Sequence, residues 1–156
     1  MSNPNKAKGT RWETALVRFL GAATLRAYRP AQEGHKDTGD LHGLSPFIGQ
    51  AKDWKSWESA IREGLDGAER QKTHAREDYG VAFVKRVRRP TGAGYAVMTI
   101  ATFARLLVRL RRAERILAEV APGRYALHRL AIADELAADY DAVAKTAENT
   151  DDEPGA

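Results

Sequence analysis

The sequence predicts an α/β domain: a mixed central sheet of about five strands flanked by helices, with a helical appendage toward the C-terminal end. Three observations predict it. Short alternating or apolar runs at 25–29, within 39–52 (two strands), at 79–87 and at 95–100 have strand character, and longer stretches with 3.6-residue periodicity stand between and after them. The 156 residues are enough for one domain with a real core. The helical stretch after Lys52 is long enough to return the chain across the sheet as a crossover, which mixes parallel with antiparallel pairing.

Residues 1–5 read as a disordered lead-in. From about Lys6, Trp12, Ala15, Leu16, Phe19 and Leu20 recur at helical spacing. Thr10, with Glu13 three residues later, has the capping-box arrangement. Glu13 also lies near the edge of the apolar face, where it could look toward a sheet. Lys8, Arg11 and Arg18 make this helix basic, and Gly21 is a plausible end. Leu25–Arg29 alternates as a strand. Pro30 to Thr38 is a polar loop in which Gln32, His35 and Lys36 either contact phosphate or are solvated. Asp37 serves either as a second metal ligand or as a turn cap.

Gly39 to Lys52 is where the chemistry is expected. It reads as two strands joined by a turn, the first carrying Asp40 and the second running Pro46 to Lys52. Alternate strand residues share a face, so Gln50 and Lys52 point one way and Ala51 the other. If the strands pair, Asp40 sits beside Gln50. A carboxylate, an amide oxygen and an ammonium then meet at one sheet edge, a set suited to Mg²⁺, which takes one or two carboxylates and completes its shell with water and phosphate oxygens. The bland alternative is a Gly-Asp turn and a polar strand end.

Ser56 can cap a helix from Trp57 to about Glu77, with Trp57, Ile61, Leu65 and Ala68 as its apolar stripe. Trp54 and Trp57 read first as core or hinge residues and only second as base-stacking platforms. Lys72 belongs to a basic far end. Tyr79 to Val87 is apolar enough for a central strand. Lys85, Arg86, Arg88 and Arg89 at its end, before a Pro-Thr-Gly-Ala-Gly turn, are phosphate-contact candidates. Tyr95 to Ile100 completes a hairpin. Thr102 would cap a helix running to about Val120, with Phe103, Leu106, Leu107 and Leu110 on one face. Pro122-Gly123 breaks it, and an acidic, alanine-rich helix follows to about Thr146. These patterns divide the chain into a domain over 6–120, an appendage over 121–147 and a disordered acidic tail over 148–156.

The absence of cysteine rules out disulfides and cysteine-ligated zinc, and four scattered histidines argue against a histidine-rich metal site. No apolar run has the length of a membrane span, and the polar N-terminal residues lack the core of a signal peptide. A soluble, cytoplasmic protein of a bacterial or phage-infected cell, without a membrane partner, is the expectation. The net charge of +4 is uneven: residues 1–115 carry 22 Lys/Arg against 12 Asp/Glu, and residues 116–156 carry 3 against 9. A basic body points to a polyanion, usually nucleic acid, and the acidic segment could act as its regulator.

Residues 6–110 resemble the PD-(D/E)XK, or restriction-endonuclease-like, nuclease superfamily, and within it the Holliday-junction-resolvase-like branch of phage and actinobacterial type. The resemblance rests on Lys8-Gly9-Thr10-Arg11-Trp12-Glu13, on Gly39-Asp40-Leu41-His42-Gly43, on Gln50-Ala51-Lys52, and on the strands holding Val84-Lys85-Arg86 and Tyr95 to Met98. It implies catalytic roles for Glu13, Asp40, Gln50 and Lys52, with Asp40, Gln50 and Glu13 at a Mg²⁺ (or Mn²⁺) ion and Lys52 on the attacking water. Gln50 departs from the pattern, which usually has Glu or Asp there. The resemblance further implies a homodimer acting on branched DNA, with Lys8, Arg11, Lys36, Lys72, Lys85, Arg86, Arg88 and Arg89 as DNA contacts. Two alternatives share the fold: a nicking or site-specific duplex endonuclease, and a DNA-binding module that is catalytically weak or inactive.

Overall fold

The computed structural model describes residues 4–23, 25–30 and 39–148. Gln32, His35, Lys36, Asp37 and the terminal acidic residues 149–156 lie outside them. The described chain forms four helices and a four-stranded mixed sheet, in the order α1 (Pro4–Ala22), β1 (Leu41–Leu44), β2 (Phe47–Lys52), α2 (Trp57–Ala75), β3 (Tyr79–Val84), β4 (Tyr95–Val97), α3 (Ile100–Val120) and α4 (Pro122–Glu148). Two compact units divide it, Met1–Ala104 and Arg105–Ala156. The division falls within α3, earlier than the boundary expected near residue 120.

The sheet order is β1-β2-β3-β4. β1 pairs antiparallel with β2, β2 parallel with β3, and β3 antiparallel with β4. The parallel pair requires the crossover that α2 supplies. β3 is central and almost wholly buried, as its apolar run predicts.

The expected fifth strand at Leu25–Arg29 shrinks to a single bridge between Tyr28 and His42. The reason lies in β1. Its register shifts between Leu41 and Leu44, and Gly43 takes a positive φ of 76°. Any Cβ there would stand 2.0 Å from the Arg26 carbonyl oxygen. The two backbones therefore touch at Gly43, and beside this irregular register only the single bridge forms.

Helices cover both faces of the sheet. On one, Trp12 and Leu16 of α1 pack with Leu41, Ala51 and Phe83, and the Trp12 indole N–H donates to the Phe83 carbonyl at 3.1 Å. On the other, Ala60 of α2 packs with Ala82 and Val84. The buried face of α2 is Ala60, Gly64, Gly67, Ala68 and Gln71, whereas the expected stripe began at Trp57, which is exposed. Small residues bring the helix down onto the sheet: a Cβ on Gly64 would meet Ala82 and Lys52 at 3.1 Å, and one on Gly80 would meet the Ala68 carbonyl oxygen at 2.5 Å. Close backbone approach replaced the interlock of large side chains that hydrophobic spacing anticipates.

Two caps differ from expectation. α1 begins at Pro4, well suited to a first helical turn, so Thr10 is interior. Its carbonyl accepts from the Thr14 hydroxyl, and Glu13 is released from a capping box to pair elsewhere. At α3, Thr99 supplies the cap by accepting from the Thr102 N–H at 3.1 Å. Thr102 itself is fully buried and donates its hydroxyl to Glu69 of α2. Ser56 caps α2 as expected, accepting from the Ser59 N–H.

Within Arg105–Ala156, the remainder of α3 connects to α4 through Ala121, whose N–H donates to the Leu117 carbonyl and whose carbonyl accepts from the Tyr125 N–H, and Arg129 Nη1 lies 3.7 Å from Glu114 Oε1. No helix among the described residues is long and apolar enough to cross a membrane.

Candidate functional site

Asp40 stands immediately before β1, its backbone N–H donating to the Gly49 carbonyl of β2. That register sets its carboxylate beside Gln50, as the two-strand reading of this stretch anticipates. Asp40 Oδ2 accepts two hydrogen bonds: from the Ala51 backbone N–H at 2.8 Å and from Gln50 Nε2 at 2.5 Å. Burial pushes the Asp40 carboxyl above its ordinary value, and the Glu13 carboxylate pushes it the same way. The Ala51 N–H, Lys52 and Gln50 oppose the rise without cancelling it. A half-buried carboxylate near a second one is a position that a cation would stabilise.

Gln50 is 7% exposed and lies between Asp40 and α2. Its amide oxygen faces Gly67, where an added Cβ would approach it to 2.7 Å. Gln50 is thus held as a donor to Asp40, with its oxygen turned away. Lys52 is two residues on and on the same face, its stem against Gly64 and its ammonium 5.1 Å from the centre of the Trp54 ring. Glu13 reaches the neighbourhood from α1, and its Oε2 accepts from Arg29 Nε at 2.6 Å. The short segment bridged to β1 thereby supplies a counter-charge that the sequence reading missed.

Asp53 is the second residue it missed. Its side chain is only 3% exposed and holds two ammonium groups, Lys8 of α1 at 3.1 Å and Lys85 after β3 at 2.9 Å. Lys85 also lies 6.0 Å from the centre of the Trp12 ring. Asp53 follows Lys52 and so turns to the α1 face, where alternation puts Phe83 and Lys85 as well. That alternation was the signal available in the sequence.

The expected DNA contacts divide accordingly. Lys8 and Lys85 close on Asp53. Lys72 closes on Glu69. Arg86 lies over Tyr95 and donates to the Ala93 carbonyl. Arg11, Arg88 and Arg89 are exposed. Lys36 is outside the described residues.

The donors near Asp40 are two carboxylates and one amide. Among the described residues no cluster of three His, Cys, Asp or Glu side chains forms a metal cage. The set nonetheless fits a hard cation that keeps most of its water and takes phosphate oxygens, provided the Gln50 amide turns to present its oxygen. Comparison with family models, with curated proteins and with solved structures returns no match.

Proposed function

We propose that this chain is a Mg²⁺-dependent, structure-selective DNA endonuclease, with a four-way junction as its best substrate. The observation that carries the reading is the Asp40 carboxylate hydrogen-bonded to Gln50 and to the Ala51 N–H, with Lys52 on the same face of that strand as Gln50. The fold, the basic balance of residues 1–115 and the order of the Glu13, Asp40, Gln50 and Lys52 segments support it.

Asp40, Gln50 and Glu13 would hold the metal, which when bound polarises the scissile phosphate and makes a bound water more acidic. Asp40 is oriented for this by the Ala51 N–H. Lys52 leaves Trp54 to meet the phosphate, where its ammonium positions the attacking water and offsets charge building on the phosphate oxygens. The Asp53–Lys8–Lys85 group and Arg86 bring further positive charge to the same end of β2 and β3. Two-strand cutting of a junction needs two such sites, hence a homodimer.

End-labelled four-way junction and matched linear duplex, incubated in Mg²⁺ and in EDTA beside Asp40→Ala, test the proposal. Symmetric cutting of the junction that needs both metal and Asp40 is expected. Equal cutting of duplex discards the junction preference. Binding without cutting in Mg²⁺ or Mn²⁺ leaves the second reading, a DNA-binding module, which the inward-turned Gln50 oxygen favours.

A further inference from the structure

We infer that Trp57, Tyr95 and Arg86 form a stacking platform for an unpaired nucleobase of a DNA strand passing the Asp40–Lys52 site. This deepens the nucleic-acid reading above and rests on it.

The sheet register places the platform. Lys52 is directly opposite Val84, and Val84 directly opposite Tyr95. Residues opposite one another point to the same face, so Lys52, Val84 and Tyr95 form one row across three strands. Two strand spacings separate Lys52 from Tyr95, about 10 Å between backbones. Trp57, the first residue of α2, covers the end of that row. Its ring centre is 6.3 Å from that of Tyr95, with the planes tilted by 48°.

Both aromatics face solvent. Trp57 is 54% exposed and Tyr95 39%, although Val84, between Tyr95 and Lys52 in the row, is core. Two large rings at the edge of a close-packed layer thus keep about half (Trp57) and more than a third (Tyr95) of their surface open to a ligand. The cations beside them identify the ligand. Arg86 lies 5.1 Å from the Tyr95 ring centre and is steadied by the Ala93 carbonyl. Lys52 bears on Trp54, a third exposed ring, in the same manner. Aromatic faces interleaved with cations suit a strand whose bases stack and whose phosphates need counter-charge. Glu58 is the acid adjoining Trp57 in the first turn of α2; Asp53 is already paired with Lys8 and Lys85. At roughly 3.4 Å per stacked nucleotide, about 10 Å puts the unpaired base some three nucleotides from the phosphate at Lys52. A continuous duplex would keep its base faces covered, so the platform selects DNA with an unpaired stretch at that distance.

The test is fluorescence anisotropy of the full chain in EDTA, with labelled single-stranded oligothymidine of about 20 nucleotides, longer than common single-strand sites, and with blunt duplex of equal length. Trp57→Leu keeps apolar volume without an aromatic face, and Trp57→Phe keeps a face. Stacking losses of the usual size predict about 5- to 150-fold weaker single-strand binding for Trp57→Leu and for Tyr95→Leu. Duplex affinity should stay within about twofold, and Trp57→Phe should retain most of the single-strand affinity. Equal weakening on both DNAs, unchanged single-strand affinity in Trp57→Leu, or no DNA binding by the parent chain each overturn the platform. A change in self-association by sedimentation, with oligonucleotide affinity unchanged, would assign the rings to a protein contact and overturn it too. Because no metal is present, the outcome does not depend on cleavage. A chain that cuts nothing can still stack bases, and one that cuts junctions through Asp40 can still fail here.

Discussion

Gln50 donates its amide hydrogen to Asp40 across 2.5 Å while its oxygen points at Gly67. A neutral side chain thus faces the Asp40 carboxylate, and it is hydrogen-bonded in the sense opposite to ligation of the proposed cation. Gln50→Glu therefore exchanges a donor for a charge in a buried setting. Without metal, two facing carboxylates cannot both ionise comfortably, and the lost bond adds to the penalty. A destabilisation of about 2–3 kcal/mol is expected. Millimolar Mg²⁺ should recover most of it and should shift the parent chain far less. Thermal melts of both proteins with and without Mg²⁺ decide the matter: a variant melting point indifferent to Mg²⁺ would place no cation between residues 40 and 50.

Asp40 makes a pH prediction of definite sign. Burial, then Glu13, raise its pKa in the folded state above 3.8. The folded chain then binds this proton more tightly than the unfolded chain, so the ionised group opposes folding at neutral pH. The penalty is complete above the folded pKa and vanishes as pH falls to the unfolded value. Asp40→Asn keeps an acceptor for the Ala51 N–H and removes the penalty. It should melt higher than the parent near pH 7, with the gap closing toward the unfolded value, while cleavage falls on the order of 10²-fold or more. A gap that widened on acidification would contradict the sign.

The sheet strands, the helical crossover and the Asp40–Gln50 pairing were legible because each rests on local alternation or on a short turn. The shrinking of the Leu25–Arg29 strand to the Tyr28 bridge was not, since it goes with a contact between Gly43 and the Arg26 backbone that no periodicity encodes. The buried face of α2 was read only in part, with Ala68 and the flanking Ile61 correct and Trp57 exposed, for a related reason. Gly64 and Gly67 carry no hydrophobic signal, yet they are what lets the helix lie against Lys52 and Gln50. Glu13 fits both a capping box and a sheet-facing acid by sequence; the earlier start of α1 at Pro4 removed the first use. Asp53 shows the limit most clearly, because its partners Lys8 and Lys85 come from distant segments that meet only in the fold.

Asp53 should behave as a structural anchor for those two cations. Its carboxylate is buried, whereas both lysine side chains keep solvent contact, at 36% exposure each. Asp53→Ala leaves two hydratable ammonium groups without a shared partner, so the loss should be moderate, about 1–2 kcal/mol in urea unfolding. Lys85→Ala should cost less, since Asp53 keeps Lys8. Because one member of each pair is out of water, the Asp53→Ala loss should persist at high salt. A loss that disappeared on adding salt would mark the group as a surface ion pair.

Gly67 provides a way to disturb Gln50 without altering any polar group. In Gly67→Ala the new methyl would stand 2.7 Å from Gln50 Oε1 and 3.4 Å from its Cδ. The amide cannot retreat while its nitrogen is bonded to Asp40, so either that bond breaks or α2 lifts from the sheet. The gain in helix propensity, about 1 kcal/mol, is opposed by 1–3 kcal/mol of overpacking. Gly21→Ala serves as the comparison, since a Cβ there meets nothing within 4 Å; it should be neutral to slightly stabilising. Gly67→Ala should unfold at lower urea than the parent. Equal stability for the two alanine variants would mean that Gln50 moves aside freely, and its hydrogen bond to Asp40 would then not fix the site.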